Sequence, residues 1–225
     1  MAERVTILTP DRVQLVGDFV AAQGTAAALL LHMMPAHRKS WVRFASALQT
    51  EGISSLAIDL RGHGESRSQD GRALDYQQFS DVEHQASRQD VQASLAFLES
   101  RGIAREHIGL VGASIGANLA LQQLADDPAL PAAVLLSPGL DYRGVETGSA
   151  VARLRPHQTI SLVASREDTY SAQSVEELAR RSPVRYQLKL LDNAGHGTTM
   201  FDHAPDLIAA LVRWLRGTIS GANGE

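Results

Sequence analysis

The segment Gly112-Ala113-Ser114-Ile115-Gly116 places a hydroxyl side chain among small neighbours. It lies between an apolar run at residues 108–111, typical of a buried strand, and a helical pattern that begins at Ser114. A tight turn from strand to helix needs small flanking residues and presents its serine at a helix N-terminus, where developing negative charge is favoured. The segment therefore predicts a nucleophilic serine.

A purely structural interpretation of this segment is also available. The pattern Gly-x-Ser-x-Gly arises by chance in about one chain in ten of this length. Ser114 would then be only the N-cap of a helix. The strand before the serine and the helix after it favour the nucleophile, because the catalytic motif requires that context.

A serine hydroxyl reacts well only when a base removes its proton, and the chain has eight histidines. His196 follows the last predicted strand and has glycines on both sides, as suits a loop that carries an imidazole over the edge of a sheet. His203, at the start of the final predicted helix, is the nearest alternative, and we expect it to be a surface or capping residue.

The imidazole in turn needs an acid that fixes its tautomer and stabilises its charged form. Asp168 follows the predicted strand at residues 159–163, with Glu167 directly before it. Asp141, which follows the preceding strand, is the more serious rival. The chain order serine, acid, histidine over successive strand ends favours Asp168, so we predict a triad of Ser114, Asp168 and His196.

Short apolar runs alternate with helical patterns along the whole chain. The predicted strands lie at residues 5–8, 13–20, 26–31, 55–59, 108–111, 132–136, 159–163 and 186–191. The predicted helices lie at residues 40–50, 87–100, 114–125, 144–153, 172–181 and 204–215. This alternation predicts one α/β domain at residues 1–219, with a mostly parallel eight-stranded sheet, helices on both faces and a flexible tail at 220–225.

Composition narrows the function classes. The 225 residues include no cysteine, which excludes a thiol nucleophile, disulfides and cysteine-ligated metals. A net charge of −4 gives no overall attraction for nucleic acid or anionic lipid. The N-terminal residues lack a signal-peptide pattern and no apolar stretch approaches the roughly 18 residues of a membrane span, so we expect a cytoplasmic protein.

Two further segments resemble motifs of a known family, in addition to the serine motif and the order of the triad residues. Leu29-Leu30-Leu31-His32 followed by Trp41 resembles a strand and loop that supply half of an oxyanion hole. Asp59-Leu60-Arg61-Gly62-His63-Gly64-Glu65-Ser66 resembles a D-x-R-G-x-G-x-S stretch found after the fourth strand. From about Val5 to Leu215 the chain resembles the α/β-hydrolase fold family, nearest to its small serine esterases of the dienelactone-hydrolase-like and monoacylglycerol-lipase-like branches.

The resemblance implies an oxyanion hole formed by the backbone N–H groups of Met34 and Ile115. Met33 stands where the family usually has glycine, and its N–H is the alternative donor; Pro35 cannot donate. The side chain of Met33 is expected to line the substrate pocket. His32 is expected to brace the oxyanion loop, while the residues around Asp59 hold their own loop in place.

Together these features predict a serine hydrolase that cleaves carboxylic esters or thioesters of small to medium acyl chains. No cofactor or metal is implied, and residues 137–157 are too few for a large lid domain. The expected partner is a small-molecule ester, with no nucleic acid and no membrane. The sequence does not decide whether the protein forms a homodimer. Acyl transfer or perhydrolysis on the same triad is one alternative, and a non-catalytic binding module is another.

Overall fold

One twisted sheet runs through the molecule. The computed structural model describes residues 2–219, and the predicted tail at 220–225 lies outside them. The eight long strands are β1 (Glu3–Leu8), β2 (Val13–Val20), β3 (Ala27–Leu31), β4 (Ser54–Ile58), β5 (Ile108–Ala113), β6 (Ala132–Leu136), β7 (Thr159–Ser165) and β8 (Arg185–Leu191).

The strands lie in the order β8-β7-β6-β5-β3-β4-β2, and β1 pairs with β2. All contacts from β3 to β8 are parallel, whereas β2 is antiparallel to both β1 and β4. A pair of two-residue strands, Ser68–Gln69 and Arg72–Ala73, extends the sheet beyond β2. The predicted mostly parallel sheet is confirmed. The short pair was not predicted, because strands of two residues are too short to give a recognisable sequence pattern.

Helices cover both faces of the sheet. Their bounds are α1 (Val42–Thr50), α2 (Asp81–Gln85), α3 (Arg88–Ser100), α4 (Ile115–Asp126), α5 (Gly148–Ala152), α6 (Thr169–Arg181), α7 (Met200–His203) and α8 (Asp206–Ile219). Leu95, Leu121 and Leu178 of α3, α4 and α6 join one buried cluster, and Phe44 and Leu211 of α1 and α8 join another. None of the helices within residues 2–219 combines the length and apolar character required to cross a bilayer.

The connection after β6 differs from the predicted helix at residues 144–153. A small hairpin pairs Asp141–Tyr142 with Val145–Glu146, and only the five residues of α5 are helical. Arg143 and Gly144 at its tip both have positive φ, 56° and 76°. Two such residues in succession form a tight hairpin turn, which prevents the helix from starting there.

Buried charges hold the loops that follow β3 and β4. The Asp59 carboxylate is fully buried and accepts hydrogen bonds from the backbone N–H groups of Arg38 (2.7 Å) and Glu65 (2.8 Å), and it pairs with the Arg38 guanidinium. Arg61 pairs likewise with the buried Asp90, 2.9 Å from Nε to Oδ1, and burial raises the pKa of Asp90 to about 6. These ion pairs join loops that are far apart in sequence.

The D-x-R-G-x-G-x-S segment is an anchor for this loop. Gly64 has φ of 48°, and a Cβ there would lie 2.1 Å from the Oδ2 atom of Asp59. The Ser66 hydroxyl donates to the backbone oxygen of Asp59 at 2.7 Å, and the His63 ring stacks on Tyr76 with centroids 3.8 Å apart. Asp59 ties the segment to the loop of Arg38, Ser66 closes it on itself, and His63 packs it against Tyr76.

Replacing Asp59 by alanine should lower the free energy of unfolding by about 3 kcal/mol, because the Arg38 guanidinium loses its most buried partner. Urea unfolding of the purified variant measures this. Arg4→Ala is the matched control, since Arg4 forms an exposed ion pair with Glu65 in the same cluster and its loss should barely move the midpoint. Equal effects of the two substitutions on the free energy of unfolding would contradict the stabilising role of the buried pair of Asp59 and Arg38.

Candidate active site

Ser114 lies on the sharp turn between β5 and α4. Its backbone dihedrals are φ 54° and ψ −122°, a combination that non-glycine residues rarely adopt. The backbone N–H of Ser114 donates to the Leu136 carbonyl on β6 at 2.8 Å, which holds the turn against the neighbouring strand. Strain of this kind persists only where the surroundings enforce it, and it is typical of functional sites.

The two glycines of the motif are required by close backbone contacts. A Cβ on Gly112 would lie 2.2 Å from the carbonyl oxygen of Gly116. A Cβ on Gly116 would lie 2.3 Å from the carbonyl oxygen of Leu31 on β3. Side chains at these positions would push α4 away from the strands and release the turn that presents Ser114.

His196 and Asp168 form a hydrogen-bonded pair at the carboxyl edge of the sheet. The distance from Nδ1 of His196 to Oδ2 of Asp168 is 2.6 Å. Asp168 is also the N-cap of α6, where its Oδ1 atom accepts a long bond from the Ser171 N–H at 3.5 Å. A carboxylate on Nδ1 keeps the proton there and leaves Nε2 as the basic nitrogen.

The structure brings the loop of His196 beside the serine turn. A Cβ built on Gly197 would lie 3.3 Å from the Cβ of Ala113, the residue that precedes Ser114. Between Ser114 and His196 themselves, no hydrogen bond is recorded among residues 2–219. Catalytic hydrogen bonds are often long before substrate binds, so this geometry is compatible with the predicted pairing.

Glu167 holds the histidine loop, a role that sequence reasoning missed. Its carboxylate accepts hydrogen bonds from the backbone N–H groups of Asn193 (2.9 Å) and Gly195 (2.7 Å) and from the Ser165 hydroxyl (2.6 Å). These hydrogen bonds lower the pKa of Glu167 to about 2, and the bond from Ser165 makes the largest contribution. On the other side of His196, the N–H of Gly197 donates to the Ser137 hydroxyl at 2.9 Å.

The predicted oxyanion donors lie on two adjacent elements. Ile115 is the first residue of α4, and Met34 lies in the loop after β3. Neither N–H has a hydrogen-bond partner within the part of the chain that is described. His32 braces this loop: its Nδ1 donates to the Met33 carbonyl (2.9 Å), while its Nε2 accepts from the Leu60 N–H (3.0 Å).

Met33 packs towards the histidine loop. Its sulfur lies 4.0 Å from the Thr198 hydroxyl, and a Cβ on Gly197 would lie 2.5 Å from that sulfur. The side chain of Met34 instead packs against the core cluster on the opposite face of the sheet. Met33 therefore bridges the loop of the oxyanion donors and the loop of His196.

The rival residues have other contacts. The Oδ1 atom of Asp141 accepts from the Gly144 N–H at 2.7 Å, at the exposed hairpin, and the residue does not pair with His196. His203 is exposed at the end of α7. Of the acids that the sequence offers, the structure joins only Asp168 to the His196 ring within residues 2–219.

Tyr142 is a second residue that sequence reasoning missed. Its ring lies edge-on to the His196 ring, with centroids 6.4 Å apart, and its hydroxyl lies 3.1 Å from the hydroxyl of Ser171. The residue reaches the site because the hairpin turns back over the end of β6. No sequence signal marks it, because it lies in the connection after β6, just before the residues at which the sequence predicts a helix.

A family model described as "Serine aminopeptidase, S33" matches residues 22–173, which is more than half of the chain and includes Ser114 and Asp168. The chain belongs to this family. None of the curated proteins compared with this S33-family chain matches it significantly.

Solved structures establish the fold of this family member. An esterase of Pyrococcus furiosus superposes with a TM-score of 0.77 at 19% identity, covering 97% of this chain and 91% of the other. A dienelactone hydrolase of Anabaena variabilis gives 0.73 at 19% identity, covering 95% and 94%. An alpha/beta hydrolase of Penicillium sp. gives 0.81 at 14% identity, covering 98% and 99%. The chain has the α/β-hydrolase fold, as its motifs predict.

In the part of the chain that the structure describes, no three histidine, aspartate or glutamate side chains are grouped as metal ligands would be.

Asp168→Asn should lower kcat by about 10⁴-fold if Asp168 orients the imidazole, because the amide favours the wrong tautomer. Asp141→Asn is the matched control and should change kcat by no more than about threefold, since a solvated hairpin carboxylate takes no part in the site. Steady-state hydrolysis of a p-nitrophenyl ester measures both. A larger loss at Asp141 would move the acid to that residue.

Two buried imidazoles should make folding sensitive to acid. Burial lowers the pKa of His32 to about 4 and that of His63 to about 3. Between about pH 6.5 and pH 4 the unfolded chain therefore binds protons that the folded protein does not bind. The free energy of unfolding should decrease as the pH is lowered through this range. Urea unfolding at several pH values measures the slope.

His63→Phe keeps the stacking on Tyr76 and should make that slope shallower, because one imidazole no longer titrates. His157→Phe, at an exposed position, should leave it unchanged. A slope that is identical in the wild type and in both variants would refute the assignment.

Proposed function

We propose that the protein hydrolyses carboxylic esters, or thioesters, of small to medium acyl chains. The observation that carries the proposal is the 2.6 Å pair of His196 and Asp168 beside a serine on a strained strand-to-helix turn. A nucleophile, a base and an orienting acid in that relation are the parts that acyl transfer requires.

In the proposed reaction, His196 Nε2 takes the proton of the Ser114 hydroxyl as its oxygen attacks the ester carbonyl. The tetrahedral intermediate collapses when its bond to the alcohol oxygen breaks, and His196 returns the proton to that oxygen. Water then releases the acyl group from Ser114 by the reverse proton transfers. Asp168 stabilises the imidazolium that exists between these transfers.

The oxyanion of the intermediate is assigned to the N–H groups of Ile115 and Met34. Each such donor stabilises the transition state by about 3 kcal/mol in comparable sites. Two features support the assignment: Ile115 opens a helix, and His32 fixes the loop of Met34 through both ring nitrogens. The low pKa of His32 keeps that ring neutral, which lets one nitrogen donate while the other accepts.

The substrate size follows from the connection after β6. It consists of the hairpin and the five-residue α5, so the wall over the site is short. Such a wall suits a small or medium acyl group. A strong preference for emulsified long-chain triglycerides would contradict this part of the proposal.

Esters are favoured over peptides because the two acids that hold His196 and its loop are already engaged. An aminopeptidase needs a free acceptor for the substrate ammonium group. Here Asp168 binds His196, and Glu167 binds the loop N–H groups of Asn193 and Gly195. The family description names an aminopeptidase, so aminoacyl p-nitroanilides belong in the assay as the contrasting substrate class.

The test is a panel of p-nitrophenyl esters of increasing acyl length, run with the wild type and with Ser114→Ala. We expect turnover that is greatest for short or medium acyl chains and that falls at least about a thousandfold in the variant. Ser149→Ala, at an exposed position on α5, is the control and should retain wild-type rates.

Three outcomes would count against the proposal. Ester turnover that survives Ser114→Ala would remove the nucleophile. Faster cleavage of aminoacyl p-nitroanilides than of any ester would favour the peptidase. Predominant transfer of the acyl group to added alcohol or peroxide would replace hydrolysis by the alternative that the sequence leaves open.

A further inference from the structure

The hairpin after β6 is fixed to the helix that carries the nucleophile. Asn118 on α4 accepts from the Gly139 N–H at 3.0 Å through Oδ1 and donates to the Val145 carbonyl at 2.7 Å through Nδ2. The Tyr170 hydroxyl bonds to both the N–H and the carbonyl of Asp141, each at 2.9 Å. A residue on this hairpin therefore keeps a set position relative to Ser114.

Tyr142 is the hairpin residue that faces the reacting groups. Its ring lies edge-on to His196, and its phenol hydroxyl contacts the Ser171 hydroxyl at 3.1 Å and the Ser137 carbonyl at 3.4 Å. Both distances are long for hydrogen bonds between oxygens, which centre near 2.7–2.8 Å. The hydroxyl is placed in the site, and these two bonds are weak enough to exchange for a ligand.

The protonation state of the phenol suits a hydrogen-bond donor. Burial raises the pKa of Tyr142, and the charge of Asp168 raises it further, while hydrogen bonding to Ser171 and Ser114 acts in the opposite direction. The phenol therefore keeps its proton at neutral pH. It can donate to an oxygen that gains negative charge.

The leaving oxygen of an ester has to occupy this neighbourhood. It is bonded to the carbon that Ser114 attacks, and His196 must reach it to deliver a proton. The Tyr142 ring lies edge-on to that of His196, and its hydroxyl is close enough to Ser114 for hydrogen bonding between them to lower the phenol pKa, whereas the oxyanion donors lie on the loop after β3 and at the start of α4. The phenol is thus separate from the groups assigned to the carbonyl oxygen.

We propose that Tyr142 is a catalytic residue whose phenol donates a hydrogen bond to the alcohol oxygen as it leaves. The bond between the acyl carbon and that oxygen breaks, its electron pair stays on the oxygen, and His196 supplies the proton. Tyr142 keeps its own proton throughout and stabilises the charge before the transfer is complete. This inference rests on the ester hydrolysis proposed above.

Tyr142→Phe tests it with two esters of the same acid, one of p-nitrophenol and one of ethanol. The kcat/KM for the ethyl ester should fall tenfold or more, because ethoxide is a poor leaving group that needs the donated hydrogen bond. The value for the p-nitrophenyl ester should fall less than about threefold, since p-nitrophenolate leaves without such help. A series of substituted phenyl esters should show a steeper dependence on leaving-group pKa in the variant.

Tyr170→Phe is the matched control, because Tyr170 holds the hairpin through the same kind of hydroxyl without adjoining Ser114. It should affect both esters by the same factor, as any loosening of the hairpin would. Equal losses on the two esters in Tyr142→Phe, or no loss, would overturn the role of Tyr142 while leaving the hydrolase intact. Failure of the proposed ester hydrolysis by Ser114 would be seen in a different measurement, as ester turnover that Ser114→Ala does not reduce.

Discussion

The close backbone contact between Gly112, Gly116 and Leu31 is the constraint on which the rest of the site depends. Three main-chain segments meet there within distances that leave no room for a Cβ. Because β3, β5 and α4 approach so closely, the turn at Ser114 is forced into its strained conformation and cannot relax. The same contact sets the loop of Met33 and Met34, which continues from β3, beside the first turn of α4. Ser114 and the proposed oxyanion donors are thus positioned by one packing arrangement rather than by separate interactions.

Much of this arrangement was accessible from the sequence, since it depends on local patterns. Glycine spacing around Ser114, buried apolar runs and the order of polar residues after successive strands are properties of short segments, and the fold they predict is confirmed. The pairing of Asp168 with His196 followed from chain order, because parallel strands bring their carboxyl ends to one edge. The assigned roles in catalysis stay predictions until the variants are measured.

What the sequence could not show depends on turns and on contacts between distant residues. Arg143 carries no signal for positive φ, so the sequence predicts a helix from Gly144 where the second half of the hairpin lies, and Tyr142, just before it, is left in an unassigned connection. Glu167 seemed a competitor for Asp168, yet it binds backbone groups that lie beyond β8, a contact no local pattern encodes. Adjacent carboxylates thus divide two tasks: one orients the imidazole ring and the other supports the loop that carries it.

The hairpin tip has a consequence for how this architecture could diversify. Arg143 and Gly144 form a turn at the outer end of the hairpin, between Asp141, which Tyr170 binds, and Val145, which Asn118 binds. Added residues at such a tip cost little free energy, because loop closure grows only slowly with length. A lineage could therefore enlarge this wall into a cap, and change which molecules enter, without rebuilding the groups that react.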